Sequence, residues 1–369
     1  MKYFQNFEND FGNYGGNLAK VELEKAIINR LNNLTKPVGS LGFLEEIVLK
    51  MGLIQGKIIP ELPEDKRVYV FAGDHGVVDN GVSAYPKDVT YQMVLNFLKG
   101  GAGINVFARH VGASVYVVDA GVAKDFNIEW KGDDYNDYNE YFINAKIGYG
   151  TKDFTKGPAM SHDEAERAIN YGKKIAHEAI MDGADLLVVG DMGIGNTTTA
   201  TAIAAAFGFN IDELIDIGTP IDSDGLIKKR NAVIRALEVN QPNPENPLDI
   251  LGKVGGYCIG EMVGFILQAV EEGVPVIIDG FPTTSALLIA WKMNSRVTDY
   301  VFAGHKSKVK GHKILLDAMK LRPILDLDMR LGEGTGGVLA ISIIEAAIKM
   351  MREMATFDSA GVSKGNDQK

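Results

Sequence analysis

The sequence predicts an α/β protein: a mostly parallel sheet flanked by helices, with a small helical domain formed by the two ends of the chain. Three observations predict it. Five short apolar, β-branched runs recur, Arg67 to Ala72, Ser114 to Asp119, Leu186 to Gly190, Pro275 to Asp279 and Tyr300 to Ala303, and their length and composition suit strands buried on both faces. Helical patterns separate them, over stretches long enough for right-handed crossovers. Each run ends in a loop rich in glycine and polar residues, and open α/β sheets bind ligands beyond the carboxyl ends of their strands.

The chain starts with a helical hairpin. Leu23, Ile27 and Leu31 share one helix face, Leu44, Ile47, Val48 and Met51 another, and Lys36-Pro37-Val38-Gly39-Ser40-Leu41-Gly42 breaks the pattern between them. The strand-end loops follow in order: Gly73-Asp74-His75-Gly76, Ala120-Gly121, Asp191 to Asn196, Gly280 to Ser285, and Gly304-His305-Lys306-Ser307. The segment from Asn127 to Tyr149, with its cluster of Asp, Asn and Tyr, reads as a mobile excursion. A last helix, Gly337 to Met354, carries Leu339, Ile343, Ala346 and Met350 on one face. The expected division is a large α/β domain over residues 60–335 and a small helical one over 1–59 plus 336–369.

Composition narrows the function. Of 369 residues, 46% are hydrophobic and 23% charged, as in soluble globular proteins. The net charge of −10, with no basic cluster, disfavours nucleic acid and anionic membranes as partners. The start of the chain lacks a signal or transit pattern, and no apolar run is long enough to span a bilayer, so a cytoplasmic protein is expected. Cys258, the single cysteine, excludes an internal disulfide and a cysteine-based zinc site. The six histidines (75, 110, 162, 177, 305, 312) show no metal-binding spacing, so neither a metal nor a cofactor is expected, Asp74-His75 notwithstanding.

Four motifs carry possible chemistry. Glu333 stands in Arg330-Leu331-Gly332-Glu333-Gly334-Thr335-Gly336-Gly337, where glycines let backbone approach a ligand. A catalytic carboxylate fits there, and so does an acid that merely favours the start of a helix. Gly190-Asp191-Met192-Gly193-Ile194-Gly195-Asn196-Thr197-Thr198 links a strand to an Ala-rich helix. Its N–H groups and hydroxyls suit a phosphate, but the same residues suit a tight turn capped by Asn or Thr. Downstream, Ile217-Gly218-Thr219-Pro220 leads into a helix carrying Lys229, an ammonium able to pair with a phosphate or simply to face water. Ser83, Tyr85 and Gln92 combine a ring, a hydroxyl and an amide that could line a slot for a flat heterocycle, or belong to a turn with Pro86 near a helix start.

Together these motifs resemble one family. Lys36-Pro37-Val38-Gly39-Ser40-Leu41, Phe71-Ala72-Gly73-Asp74-His75-Gly76-Val77, Gly100-Gly101-Ala102-Gly103-Ile104-Asn105, Met192 to Thr198, Asp279-Gly280-Phe281 and Arg330 to Gly336 occur in the order seen in nicotinate-nucleotide:dimethylbenzimidazole phosphoribosyltransferases, from about residue 20 to residue 350. The resemblance implies a homodimer with a Rossmann-like sheet that converts nicotinate mononucleotide and 5,6-dimethylbenzimidazole into α-ribazole 5′-phosphate and nicotinate. It makes Glu333 the general base and Asp191 a supporting acid. Gly193, Gly195, Asn196, Thr197, Thr198, Gly218, Lys229 and Ser307 would hold the nucleotide and its phosphate, and Ser83, Tyr85, Gln92 and Leu331 the aromatic base. The leaving nicotinate departs from a pyridinium, so no pyrophosphate charge calls for a metal.

Three departures from the family pattern stand out: Asp191 in place of a longer Glu, Tyr257-Cys258 in place of an apolar-Glu pair, and Val309-Lys310 in place of Glu-Pro. Two alternatives remain at this level. The acceptor could be another base, such as adenine, a different benzimidazole or a phenolic compound, or the chain could bind nucleotide as a non-catalytic regulator.

Overall fold

A computed structural model of the protein describes residues 14–126, 140–215 and 223–363. These residues form two compact units, one of residues 14–62 and 344–363, the other of residues 63–343.

In the smaller unit, α1 (Tyr14–Asn33) and α2 (Phe43–Gln55) form a hairpin. Ile27, Leu31 and Leu34 are buried with Ile47, Val48 and Met51. Near the turn, the buried Lys36 ammonium donates to Glu45 Oε1 at 2.8 Å, and the Leu41 N–H donates to the same oxygen at 3.0 Å. Arg30 holds the carbonyl of Met351 at 3.1 Å, which ties the C-terminal part of the chain to the hairpin.

The larger unit runs β1 (Lys66–Gly73), α3 (Asp88–Leu98), α4 (Gly103–Val111), β2 (Ser114–Gly121), β3 (Glu140–Asn144), α5 (His162–Met181), β4 (Leu186–Met192), α6 (Asn196–Ala206), α7 (Ile211–Leu214), α8 (Ser223–Asn240), α9 (Pro247–Val254), α10 (Tyr257–Glu271), β5 (Val276–Ile278), α11 (Phe281–Met293), β6 (Val301–His305), α12 (Lys310–Ala318), β7 (Pro323–Leu325) and the first part of α13 (Thr335–Glu353). The seven strands form one parallel sheet in the order β3-β2-β1-β4-β5-β6-β7. The central strands are buried on both faces, with Val68, Tyr69, Val70, Phe71 and Ala72 of β1 all at 2% exposure or less. Helices on the two faces account for that burial, and α5 and α10 meet backbone to backbone: a side chain on Gly172 would start 1.8 Å from the carbonyl of Glu261. Phe265 of α10 packs its ring against Tyr69 and Phe71 of β1 at 4.8 and 5.4 Å.

Two strands depart from the sequence expectation. Glu140–Asn144, expected within a mobile excursion, pairs with β2 as the edge strand β3, while 127–139 of that excursion lie outside the described residues. The strand β7 at the other edge begins with Pro323, a residue the sheet accepts at the start of an edge strand. Strand order reverses between β1 and β4, and such a reversal opens a crevice at the carboxyl ends of the strands. No described helix is long and apolar enough to cross a membrane.

Candidate active site

Glu333 lies against β4 and the residue that follows β5, in an unusual backbone. Gly332, Glu333 and Gly334 have φ of 87°, 65° and 94°, so the left-handed region holds three consecutive residues, one of them with a Cβ. A left-handed residue other than glycine costs about 1–2 kcal/mol. The surrounding elements hold it there. The N–H of Ile104, in the first turn of α4, donates to Glu333 Oε2 at 3.1 Å. Behind it, β4 carries Gly190, where any side chain would begin 2.4 Å from the carbonyl oxygen of Glu333. Glu333 is 5% exposed. Burial pushes its pKa up to about 6; the Ile104 N–H opposes that and the charge of Asp279 adds to it.

Asp279 follows β5 and is fully buried. Its Oδ2 accepts the N–H of Gly334 at 3.1 Å, and Oδ1 accepts those of Gly336 at 2.7 Å and Gly337 at 3.2 Å. His305, at the end of β6, places Nε2 3.3 Å from Asp279 Oδ1. Sequence reading assigned Asp279 no role, although its position, an acid closing a strand just before a glycine, was the available signal.

The β4–α6 turn supplies the second half of the site. Asp191 accepts from Asn196 Nδ2 at 2.6 Å. Burial raises the Asp191 pKa to about 7, against the Asn196 bond and with a further push from Asp279. The helix cap is Gly195, left-handed at φ 94°, not the Asn or Thr of the tight-turn alternative. Lys229 of α8 is almost fully buried and donates from Nζ to Thr197 Oγ1 at 3.0 Å, so these two predicted phosphate ligands are brought together. Thr198 is buried on the same turn, and its Oγ1 has no hydrogen-bond partner among the described residues. Gly193 nearly touches β1: a Cβ there would lie 2.3 Å from the carbonyl of Gly73. Gly218 lies outside the described residues.

Asp74 and His75 face different partners. Asp74 Oδ2 accepts the N–H of Ala123 at 2.8 Å, whereas His75 sets Nδ1 3.0 Å from Thr199 Oγ1 and Nε2 3.7 Å from Cys258 Sγ. Burial lowers the His75 pKa to about 4, so the ring is neutral and braces the turn. Among the described residues no cluster of three His, Cys, Asp or Glu is spaced to hold a metal.

The aromatic-base candidates occupy two places. Leu331, 58% exposed, and Glu333 both flank the start of α4: a Cβ on Gly103 would lie 2.9 Å from Leu331 Cδ2 and 3.4 Å from Glu333 Oε2. Ser83, Tyr85 and Gln92 precede or belong to α3, where Ser83 Oγ accepts the Tyr85 N–H at 3.2 Å and Tyr85 is 47% exposed. Pro86 falls just outside the helix, since Lys87 is the residue before its first turn. Thr90, which the sequence reading passed over, ties α3 to the phosphate turn by accepting the Ile194 N–H at 3.1 Å. Ser307 is buried just beyond β6; its Oγ accepts the Val309 N–H at 3.3 Å and its own N–H donates to His312 Nδ1 at 2.9 Å.

Comparison with known proteins agrees over nearly the whole chain. A family model described as phosphoribosyltransferase matches residues 18–362. The chain is 48% identical over 338 residues to the nicotinate-nucleotide–dimethylbenzimidazole phosphoribosyltransferase of Geobacter sulfurreducens, covering 91% of this chain and 93% of that one. It is 50% identical over 336 residues to the protein of the same name from Chloroflexus aggregans, covering 91% and 92%. The crystal structure of the similarly named protein from Thermus thermophilus superposes with a TM-score of 0.85 at 45% identity, covering 93% of this chain and 99% of that one.

Proposed function

The chain belongs to the nicotinate-nucleotide–dimethylbenzimidazole phosphoribosyltransferase family, and from that premise we propose that it transfers the phosphoribosyl group of nicotinate mononucleotide to 5,6-dimethylbenzimidazole with Glu333 as general base. The observation that carries the reading is the Glu333 carboxyl itself: buried, held on one oxygen by the Ile104 N–H, and set in a glycine loop at the carboxyl edge of the sheet. One nitrogen of the benzimidazole attacks the anomeric carbon while the bond from that carbon to the pyridinium nitrogen breaks, and the electron pair leaves with nicotinate. The second ring nitrogen gives its proton to Glu333, so the product base is neutral. Attack opposite the leaving group inverts the anomeric centre from β to α. With a pKa near 6, the carboxylate is ionised at neutral pH yet basic enough to take the proton.

Lys229 and Thr197, joined at 3.0 Å, are the phosphate end of the reading, with Gly193, Gly195, Asn196, Thr198, Ser307 and Gly218 completing the nucleotide site. Exposed Leu331 and Tyr85 supply apolar surface for the ring, with Ser83 and Gln92 as polar groups beside it. Asp191 supports the base from β4. We place the enzyme in the cytoplasm, which its single cysteine favours, and as a homodimer, which sedimentation of the purified protein tests. The deciding assay for the reaction is nicotinate release from nicotinate mononucleotide with a panel of acceptors: dimethylbenzimidazole, benzimidazole, adenine and a phenol. Fastest release with dimethylbenzimidazole supports the reading; faster release with another acceptor replaces the acceptor; no release with any, alongside nucleotide binding, makes the chain a regulator.

A further inference from the structure

We propose that Asp279 is a positioning residue for Glu333, holding the left-handed backbone that points the base at its substrate. The inference rests on the reading of Glu333 as the base. Three consecutive positive φ values at 332–334 are easy for the two glycines and unfavourable for Glu333, whose Cβ crowds the backbone, so the conformation persists only if its neighbours enforce it. Asp279 is the group placed to do so. Its carboxylate accepts three backbone N–H groups, and hydrogen bonds to a charged acceptor are roughly twice as strong as neutral ones, enough together to outweigh the strain of one residue.

Two of those bonds, from Gly336 and Gly337, are what any acid at the start of α13 would make. The third is different. The Gly334 N–H belongs to the peptide group that Glu333 itself begins, so Asp279 Oδ2 grips the base's own carbonyl-side peptide at 3.1 Å. The same peptide rests against Gly190, whose missing side chain leaves room for it. Asp279 is itself anchored: its N–H donates to Thr283 Oγ1 at 3.0 Å in the first turn of α11. The charged group acting on Glu333 is Asp279, which in turn faces Asp191 on β4 and His305 on β6, while α4 offers Glu333 the Ile104 N–H.

The test is Asp279→Asn in the full-length protein. An amide keeps one acceptor oxygen, but its NH₂ group turned toward Gly334 sets donor against donor. Turnover should fall by about 10–100-fold, the scale of a small misplacement of a catalytic group, while KM for nicotinate mononucleotide stays within about threefold. Because the charge of Asp279 adds only the lesser part of a shift that burial dominates, the acid limb of the kcat–pH profile should move slightly below about 6. In a Glu333→Gln background, Asp279→Asn should add no further loss, because its effect passes through the missing base. If Asp279→Asn does not fold, Thr283→Val frees the backbone N–H of Asp279, loosens the segment that carries the carboxylate more gently, and should lower kcat at constant KM. Wild-type turnover in both variants, losses that add to that of Glu333→Gln, or a loss that falls on KM rather than on kcat would overturn the inference and leave Asp279 a helix cap. Wild-type turnover in Glu333→Gln alone would instead overturn the choice of base.

Discussion

The carbonyl oxygen of Glu333 sits 2.4 Å from the point where a side chain on Gly190 would begin, so strand β4 forgoes a side chain where the loop carrying Glu333 leans on it. The carbonyl carbon of Glu333 and the nitrogen of Gly334 lie almost as close, at 2.6 and 2.8 Å. These are backbone atoms that cannot swing aside as a side-chain tip could. Gly190→Ala should therefore push the loop away, costing about 1–3 kcal/mol of stability as overpacking does and up to about 100-fold in turnover as a displaced base does. Urea unfolding and nicotinate release measure the two. An alanine variant with unchanged turnover would mean that the loop's position is not what matters.

Replacing the proposed base separates chemistry from binding. Glu333→Gln should lower kcat by about 10²–10⁴-fold and leave nucleotide affinity close to that of the wild type in a calorimetric titration. The wild-type profile should rise with pH through about 6 and level off above it, because the carboxylate acts only when deprotonated and burial has raised its pKa. A profile that instead rises through about 7 would point to Asp191, which burial raises further.

What could be read from the sequence follows from how local each signal is. The five central strands are continuous β-branched runs because helices cover both their faces, and that pattern needs no partner to be seen. The edge strands lack it: β3 is a five-residue stretch flanked by acid and amide residues, and β7 is three residues long and starts with proline. Glu333 was legible through its flanking glycines. Its supports were not, since the N–H of Ile104 comes from 229 residues away and Asp279 reaches 55 residues forward to Gly334. The same distance hid the roles of Thr90 and His75, whose partners lie 104 and 124 residues on. Asp74 and His75, neighbours in sequence, engage different partners.

The nucleotide's phosphate should depend on Lys229. Its ammonium is almost fully buried and bonded to Thr197 at the start of α6, where backbone N–H groups also favour an anion. Lys229→Met keeps much of the stem and removes the charge. A charge-assisted bond of about 1.5–3 kcal/mol corresponds to roughly a 10–100-fold loss of affinity for nicotinate mononucleotide. The dephosphorylated nucleoside should bind both proteins alike. If the variant weakens nucleoside and nucleotide equally, Lys229 acts on the fold of the loop rather than on phosphate.

Glu261 offers a test that involves stability alone. It lies on α10 at 0% exposure, and neither carboxyl oxygen has a hydrogen-bond partner among the described residues. Burial, with the nearby Asp119 charge adding to it, holds the carboxyl well above its ordinary 4.5. The folded protein therefore keeps a proton that the unfolded chain releases near 4.5, so the folded state binds more protons above that pH. Stability linked to this group is fully present below 4.5 and declines as pH rises toward the folded pKa, by up to about 1.4 kcal/mol per pH unit. Glutamine has the shape of the protonated acid and does not titrate. Glu261→Gln should thus match the wild type near pH 4.5 in urea unfolding and exceed it in stability at about pH 8. A difference between the two proteins that stays constant across that range would show that Glu261 is not held protonated in the native state.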